Sequence, residues 1–408
     1  MSSTEELRSC FPQLGVKVYG KPLVYLDNAA TSLRPRIVLD RWYELGSGCS
    51  ANLHRAVHKV AAEATEQYEA AREAVRAFLN AESSREIIFT SGATQSLNLV
   101  AYSFSEAYLN EGDEVIVCES EHHSNIVPWQ FACDRRRAVL KVLPVDEEGY
   151  PRLDVLESLL TERTRILCIA QISNVLGLRN PVDKIVKLCH SKNCFVLVDG
   201  AQGVLHGNVD VRKLGCDFYA FSGHKLFAAP GTGVLYGRRE LLEKMPPFLG
   251  GGEMIGNVSF ARTTFAPLPQ KFEAGTQNIS GTPTLVQAIE MLKMMDDSEI
   301  QKEYEAVRDY VLKALTEDER IHLYGVPRGT SDKVALFSFT VEGAQHEDLA
   351  LILDKMGIAV RSGQMCAEPL MDRYGVTGMV RASFLPYNTL QEAEYFIRSL
   401  DRAIEMLK

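Results

Sequence analysis

Apolar positions recur along this chain with two periods. Val57, Val60, Ala61, Ala64, Tyr68, Ala71, Val75 and Phe78 fall mostly three or four residues apart, which predicts one buried face of a helix. Short unbroken apolar runs follow: Ile87-Ile88-Phe89, Val115-Ile116-Val117, Ile166-Leu167-Cys168-Ile169, Phe195-Val196-Leu197-Val198 and Val234-Leu235-Tyr236. A run without alternation suits a strand covered on both faces. Helical and strand patterns alternating from about 60 to 240 therefore predict an α/β layer around a mostly parallel sheet.

After Gly250-Gly251-Gly252 the texture changes. Residues 297–320 form a charged amphipathic helix pattern, and 334–341 and 358–361 read as strands. The last helix opens on Thr389-x-x-Glu392, a capping box, and carries Ala393, Phe396, Ile397, Leu400 and Ile404 on one face. Two domains are expected: a large one over 25–285, and a smaller α+β one over 286–408 on which 1–24 packs.

Composition narrows the class. With 46% apolar residues the chain can bury a large core. Its net charge of −9, without a basic run, argues against a dedicated binder of nucleic acid or anionic membrane. No segment has the ~18 consecutive apolar residues of a spanning helix, and the N-terminus lacks the pattern of a signal peptide. The nine cysteines are scattered without a C-x-x-C pair, which fits a reducing compartment and a cytoplasmic location.

Two partial motifs carry little. Gly15-x-x-x-x-Gly20-Lys21 resembles a phosphate-binding loop, but Pro22 replaces the hydroxyl residue that would hold Mg²⁺. His54 and His58 have the spacing of a zinc-binding helix but lack its glutamate.

More informative chemistry lies at predicted strand ends, where open α/β sheets place ligands. Ser91-Gly92-Ala93-Thr94 joins a strand to a helical pattern, the arrangement of an anion cradle, although such turns are common. Asp199 directly follows four apolar residues and must there meet a cation or a proton; alternatively it caps a helix. Lys225, in Ser222-Gly223-His224-Lys225, ends another strand-like run, where burial lowers a lysine pKa far enough for Schiff-base chemistry. His122 follows a third strand and could lie against a ring; a lone histidine is as readily structural. A lysine for an aldehyde, a carboxylate for a pyridinium nitrogen and a cradle for a phosphate together match pyridoxal 5'-phosphate. Cys366 sits in a polar loop punctuated by Gly and Pro, five residues after Arg361, a setting that favours thiolate but equally suits an incidental surface cysteine.

Asp27-Asn28-Ala29-Ala30-Thr31, Glu121-His122-His123-Ser124-Asn125, Asp199-Gly200-Ala201-Gln202, Ser222-Gly223-His224-Lys225 and Phe272-Glu273-Ala274-Gly275-Thr276 resemble the class V aminotransferase family of pyridoxal enzymes, with the type I transferase fold. The segment from Arg361 to Leu370, RSGQMCAEPL, is similar to that of the cysteine desulfurases, in the SufS/CsdA (group II) branch that also acts as selenocysteine lyase. The resemblance implies that Lys225 carries the cofactor, Asp199 holds its ring nitrogen, Gln202 its ring oxygen, and His122 stacks on it. It further implies that Thr94, Ser222 and His224 bind the phosphate, joined by Thr276 from the partner subunit of a homodimer. Arg381 would clamp the substrate carboxylate with Asn174 nearby, Arg361 and His54 complete the candidate substrate set, and Cys366 would receive sulfur. Gln364-Met365 stands where some relatives carry two histidines, which puts in doubt an acid role for those side chains, not for the thiol. The implied reaction converts L-cysteine to L-alanine, leaving a persulfide for an acceptor protein of iron–sulfur cluster assembly. Another pyridoxal reaction, by an aminotransferase or a kynureninase-type hydrolase, is the alternative, and a silent sulfur-transfer scaffold is the second.

Overall fold

The computed structural model describes residues 3–48, 50–54, 57–207 and 209–408. The apolar runs form a seven-stranded sheet in the order Ile87–Thr90, Gly233–Gly237, Phe218–Ser222, Phe195–Asp199, Thr164–Ala170, Glu114–Cys118, Val139–Leu143. The last five are mutually parallel, and Gly233–Gly237 runs antiparallel to both of its neighbours. Both faces are covered, which explains the unbroken runs. Leu167, Ile169, Val196 and Val198 belong to one core, while Ile166, Cys168 and Leu197 belong to the other.

Helices Lys59–Leu79, Val182–His190 and Leu285–Met295 cover the first face; Ala93–Tyr108 and Val127–Arg136 cover the second. The face expected from 57 to 78 is partly corrected. Val57 lies before the helix and is fully exposed, and Val60 is exposed on its first turn. Buried Arg72 takes a place on that face instead.

The second domain holds an antiparallel sheet, Ile321–Tyr324, Leu336–Val341, Met379–Ser383, Arg361–Gly363, backed by helices Ser298–Glu317, His346–Lys355 and Leu390–Leu407. The capping box at Thr389 and Glu392 is present in full. The run at 358–361 is two strands: Ile358–Ala359 pairs in parallel with Val24–Tyr25, and Arg361–Gly363 with Met379–Ser383. The large core continues past 285, because Leu285, Ala288, Ile289, Met291 and Met295 pack in it. The N-terminal segment touches both units. Leu7 and Phe11 enter the large core, Arg8 pairs with Glu392 at 2.8 Å, and Val24 enters the small core.

Candidate active site

The C-terminal ends of the parallel strands open into a cavity of about 570 Å³ that the second domain closes from one side. Its lining includes Thr94, His122, Asn174, Asp199, Gln202 and Ser222. It also includes His224, Lys225, Arg361, Cys366 and Arg381, so eleven of the thirteen residues singled out in the sequence meet here.

Asp199 is the last residue of its strand and is 6% exposed. Burial raises its pKa, while the Ala201 N–H, donating to Oδ1 at 2.8 Å, and the nearby Lys225 pull it down. No α-helix follows, only the short turn Gly203–Leu205, so Asp199 is not an α-helix cap. Burial lowers Lys225 to about 8, against the opposing pull of Asp199. The two groups are thus an electrostatic pair in a low-dielectric pocket, each favouring the other's charge.

His122 is pushed down to about 4 by burial and by the neighbouring Lys225. Its Nδ1 accepts from the Ser124 N–H at 3.1 Å, which leaves the ring proton on Nε2. Beneath it, Glu121 is wholly buried, accepts from Asn125 Nδ2 at 2.6 Å and from the Ala170 N–H at 2.8 Å, and is raised by burial to about 8. The motif containing His122 is therefore anchored into the strand beside Asp199.

Helix Ala93–Tyr108 starts at Gly92 without a side-chain cap, and the Ala93 N–H donates to Ser222 Oγ at 2.8 Å. Gly233 of the adjacent strand lies so close that a Cβ there would overlap the Gly92 backbone, so only glycine permits this packing. Thr94, Ser222 and His224 gather around the helix start; burial, then Lys225, lowers His224 to about 4. Gln202 donates to the Ala29 carbonyl at 2.8 Å, and its buried Oε1 has no partner among the described residues.

The opposite wall comes from the second domain. Arg361 and Arg381 are register partners on neighbouring strands, and Asp27 bridges them at 2.8 Å and 3.5 Å. Arg381 is 4% exposed, donates through Nη1 to the Asn174 carbonyl at 2.8 Å, and keeps a buried Nε without a partner among the described residues. Burial lowers it to about 10.

Cys366 is exposed, whereas Cys118, Cys133, Cys168, Cys189, Cys194 and Cys216 are buried and Cys10 is partly covered. Met365 and Cys366 both have left-handed backbones, φ +54° and +55°, a conformation costing a non-glycine residue about 1–2 kcal/mol. Three bonds hold it: the His123 N–H donates to the Cys366 carbonyl at 2.7 Å, Asn174 Nδ2 to the Met365 carbonyl at 2.8 Å, and the Ala367 N–H to the Gln364 carbonyl at 3.0 Å. His123 Nε2 also accepts from the Glu368 N–H at 3.0 Å. Asp27, Glu121 and His123 were not assigned roles from the sequence. Their signal was membership of the quoted motifs, but apart from Asn125 beside Glu121 their partners lie far away in the chain.

Thr276 and His54 are not brought to this cavity. Thr276 lines a separate depression with Tyr68, Gln95 and Leu249; His54 lies beside Tyr68, with ring centres 6.4 Å apart.

A class-V aminotransferase family model matches residues 24–396. A probable cysteine desulfurase of Vibrio cholerae is 43% identical over 407 residues, covering 100% of both chains. A cysteine desulfurase of Klebsiella pneumoniae is 43% identical over 406 residues, covering 99% of each. Among solved structures, the Escherichia coli cysteine desulfurase CsdA in its S-sulfonic acid form matches with a TM-score of 0.91 and 39% identity over 100% of both chains. An apo cysteine desulfurase from Thermococcus onnurineus matches with a TM-score of 0.93 and 34% identity over 99% of each. The chain belongs to the class-V aminotransferase family, in its cysteine desulfurase branch.

Proposed function

We propose that the chain is a cysteine desulfurase, converting L-cysteine to L-alanine and retaining the sulfur as a persulfide on Cys366. One observation carries the reading: a half-buried Lys225 beside buried Asp199 and an exposed loop thiol share a single cavity. An aminotransferase or kynureninase-type hydrolase has no use for the thiol, and a scaffold has none for the pair.

The donor set fits pyridoxal 5'-phosphate. The uncapped helix start with Thr94, Ser222 and His224 suits a phosphate, the free Gln202 oxygen a ring hydroxyl, and Asp199 a protonated ring nitrogen. When bound, this cofactor supplies an aldehyde for the substrate amine and a ring that draws electrons from the α-carbon. Lys225 anchors it, and once displaced by substrate is the base for the α-proton; its lowered pKa makes the free amine available near neutral pH. His122, neutral, covers the ring face.

Arg381 takes the substrate carboxylate through its unpartnered Nε and the Nη2 only loosely held by Asp27, with Arg361 at the mouth. Asn174 ties Arg381 to the Cys366 loop. The Cys366 thiolate attacks the substrate sulfur: an S–S bond forms as the C–S bond breaks, that bond's electron pair stays with carbon, and a proton completes alanine. Exposure of Cys366 suits handover of the persulfide to an acceptor protein of cytoplasmic iron–sulfur cluster assembly, and L-selenocysteine is a second substrate. The separate depression bearing Thr276, with His54 beside its Tyr68, includes exposed Leu249, and the nearby hairpin exposes Val258, Phe260 and Phe265. This supports a homodimer in which both residues serve the partner's cavity.

Cys366→Ser tests the reading. A serine hydroxyl is protonated at neutral pH and attacks sulfur poorly. The variant should keep its yellow colour and exchange the α-proton of L-cysteine, yet release almost no alanine and gain no sulfur in the tryptic peptide containing position 366. L-Selenocysteine should suffer less, because selenium leaves more readily. Alanine release from L-cysteine at the wild-type rate would falsify the assignment.

A further inference from the structure

Four consecutive carbonyls, from Asn174 to Gly177, accept hydrogen bonds from the second domain. Arg381 Nη1 donates to Asn174 at 2.8 Å, Ser338 Oγ to Val175 at 2.5 Å, Lys333 Nζ to Leu176 at 2.5 Å, and the Val334 N–H to Gly177 at 3.0 Å. The segment they hold leads directly from the cavity: Asn174 is its first residue and also grips the carbonyl next to Cys366.

Lys333 is the unusual member. It is 1% exposed, and no carboxylate among the described residues faces its ammonium. It donates a second bond to the Gly325 carbonyl at 2.9 Å and lies 5.4 Å from the Phe337 ring centre. Gly325 adopts φ +69° and approaches Leu176 so closely that a Cβ would sit 2.7 Å from the Leu176 oxygen. Two backbone segments therefore converge with their oxygens directed at one point, where only a donor between them prevents two unpaired buried acceptors. Burying an ammonium without a counter-ion is costly. The two carbonyls offset part of that cost and tie the Gly325 turn to the strip carrying Asn174.

We infer that Lys333 is a positioning residue for the desulfurase reaction: by clamping Leu176 to Gly325 it fixes where Asn174 holds Arg381 and the Cys366 loop relative to Lys225. It touches neither substrate nor cofactor and acts through Asn174. The inference rests on the proposed reaction for its kinetic consequence, but its geometric core does not. A misplacement of about 1 Å between reacting groups is enough to cost on the order of 100-fold.

The test uses the full chain loaded with cofactor and carrying Lys333→Met, which fills the space without a donor. The reducible adduct at Lys225 should be retained. Alkylation of Cys366 by iodoacetamide, without substrate and with Cys10 as internal reference, should change severalfold, and persulfide formation should slow on the order of 10-fold or more with a raised KM for L-cysteine. In an Asn174→Ala background, which cuts the Nδ2 bond to the Cys366 loop but leaves the backbone carbonyl on Arg381, the same substitution should change Cys366 labelling only about twofold or less. A variant with lower thermal stability but wild-type labelling, kcat and KM would overturn the inference, as would an equal change in Cys366 labelling in both backgrounds. If Lys333→Met does not fold, Ser338→Ala, which frees the adjacent Val175 carbonyl without removing a charge, is judged by the same labelling and the same cycle; wild-type labelling there overturns the clamp. Should the wild type itself make no alanine, the proposed function fails, while the labelling comparison still decides the clamp.

Discussion

Lys225 and Asp199 show what a strand end does to an ordinary side chain. A free lysine titrates near 10.4, so roughly one amine in 2500 is neutral at pH 7; at about 8 it is roughly one in ten. Cofactor-free protein should therefore form its borohydride-reducible adduct with pyridoxal phosphate at a rate that rises with pH and levels above about 8. Asp199 favours the charged lysine, so Asp199→Asn should move that plateau to lower pH while slowing turnover in the loaded enzyme. Stopped-flow absorbance across the pH range checks both signs. A rate still climbing beyond pH 10 would mean that Lys225 is not desolvated.

Among the elements, the edge strand Ile87–Thr90 is blunted by a buried ion pair. Arg72 donates to the Ile87 carbonyl at 2.9 Å and to both Glu273 oxygens at 2.6 and 2.9 Å, while the Phe89 N–H donates to Glu273 Oε1 at 2.7 Å. The outward groups of a strand that could otherwise pair with another chain are thus satisfied by a helix side chain and a loop carboxylate. Glu273→Gln should lower unfolding free energy by about 3 kcal/mol, since Arg72 loses its buried counter-ion and keeps only the partly exposed Glu69 carboxylate at 2.8 Å. Arg72→Met with Glu273→Leu should cost less than the sum of the two single variants, as urea denaturation of all three will show. The loop fixed by this pair is the one carrying Thr276.

For the whole molecule, the two displaced site residues matter most. Thr276 lines a depression away from the cavity and His54 lies beside Tyr68 of its wall, while the nearby hairpin formed by Ile255–Val258 and Thr263–Phe265 exposes Val258 and Phe260. If this face meets a second copy, aspartates at Val258 and Phe260 bury charge in the interface. Sedimentation velocity should then find the double variant shifted toward monomer, with weaker cofactor retention because the partner's phosphate contact is lost. An unchanged dimer with full retention would place the interface elsewhere.

Sheet, helices and chemistry were legible in the chain because each is a local pattern. Unbroken apolar runs end in Asp199 and beside Lys225, and the capping box at Thr389 needs only four residues to be recognised. The sequence also singled out Cys366, since Gly and Pro in its loop are local signals. What it could not determine depends on contacts between distant segments. Arg72 reads as a polar interruption until Glu273, 201 residues away, is packed against it. Lys333 reads as a surface lysine until Leu176 and Gly325 converge on its ammonium. Thr276 and His54 carry no local mark of which cavity they face. Periodicity records which side of an element meets the core, but not which groups wait there, and the pairing of buried charges and carbonyls is decided only when segments distant in the chain pack together.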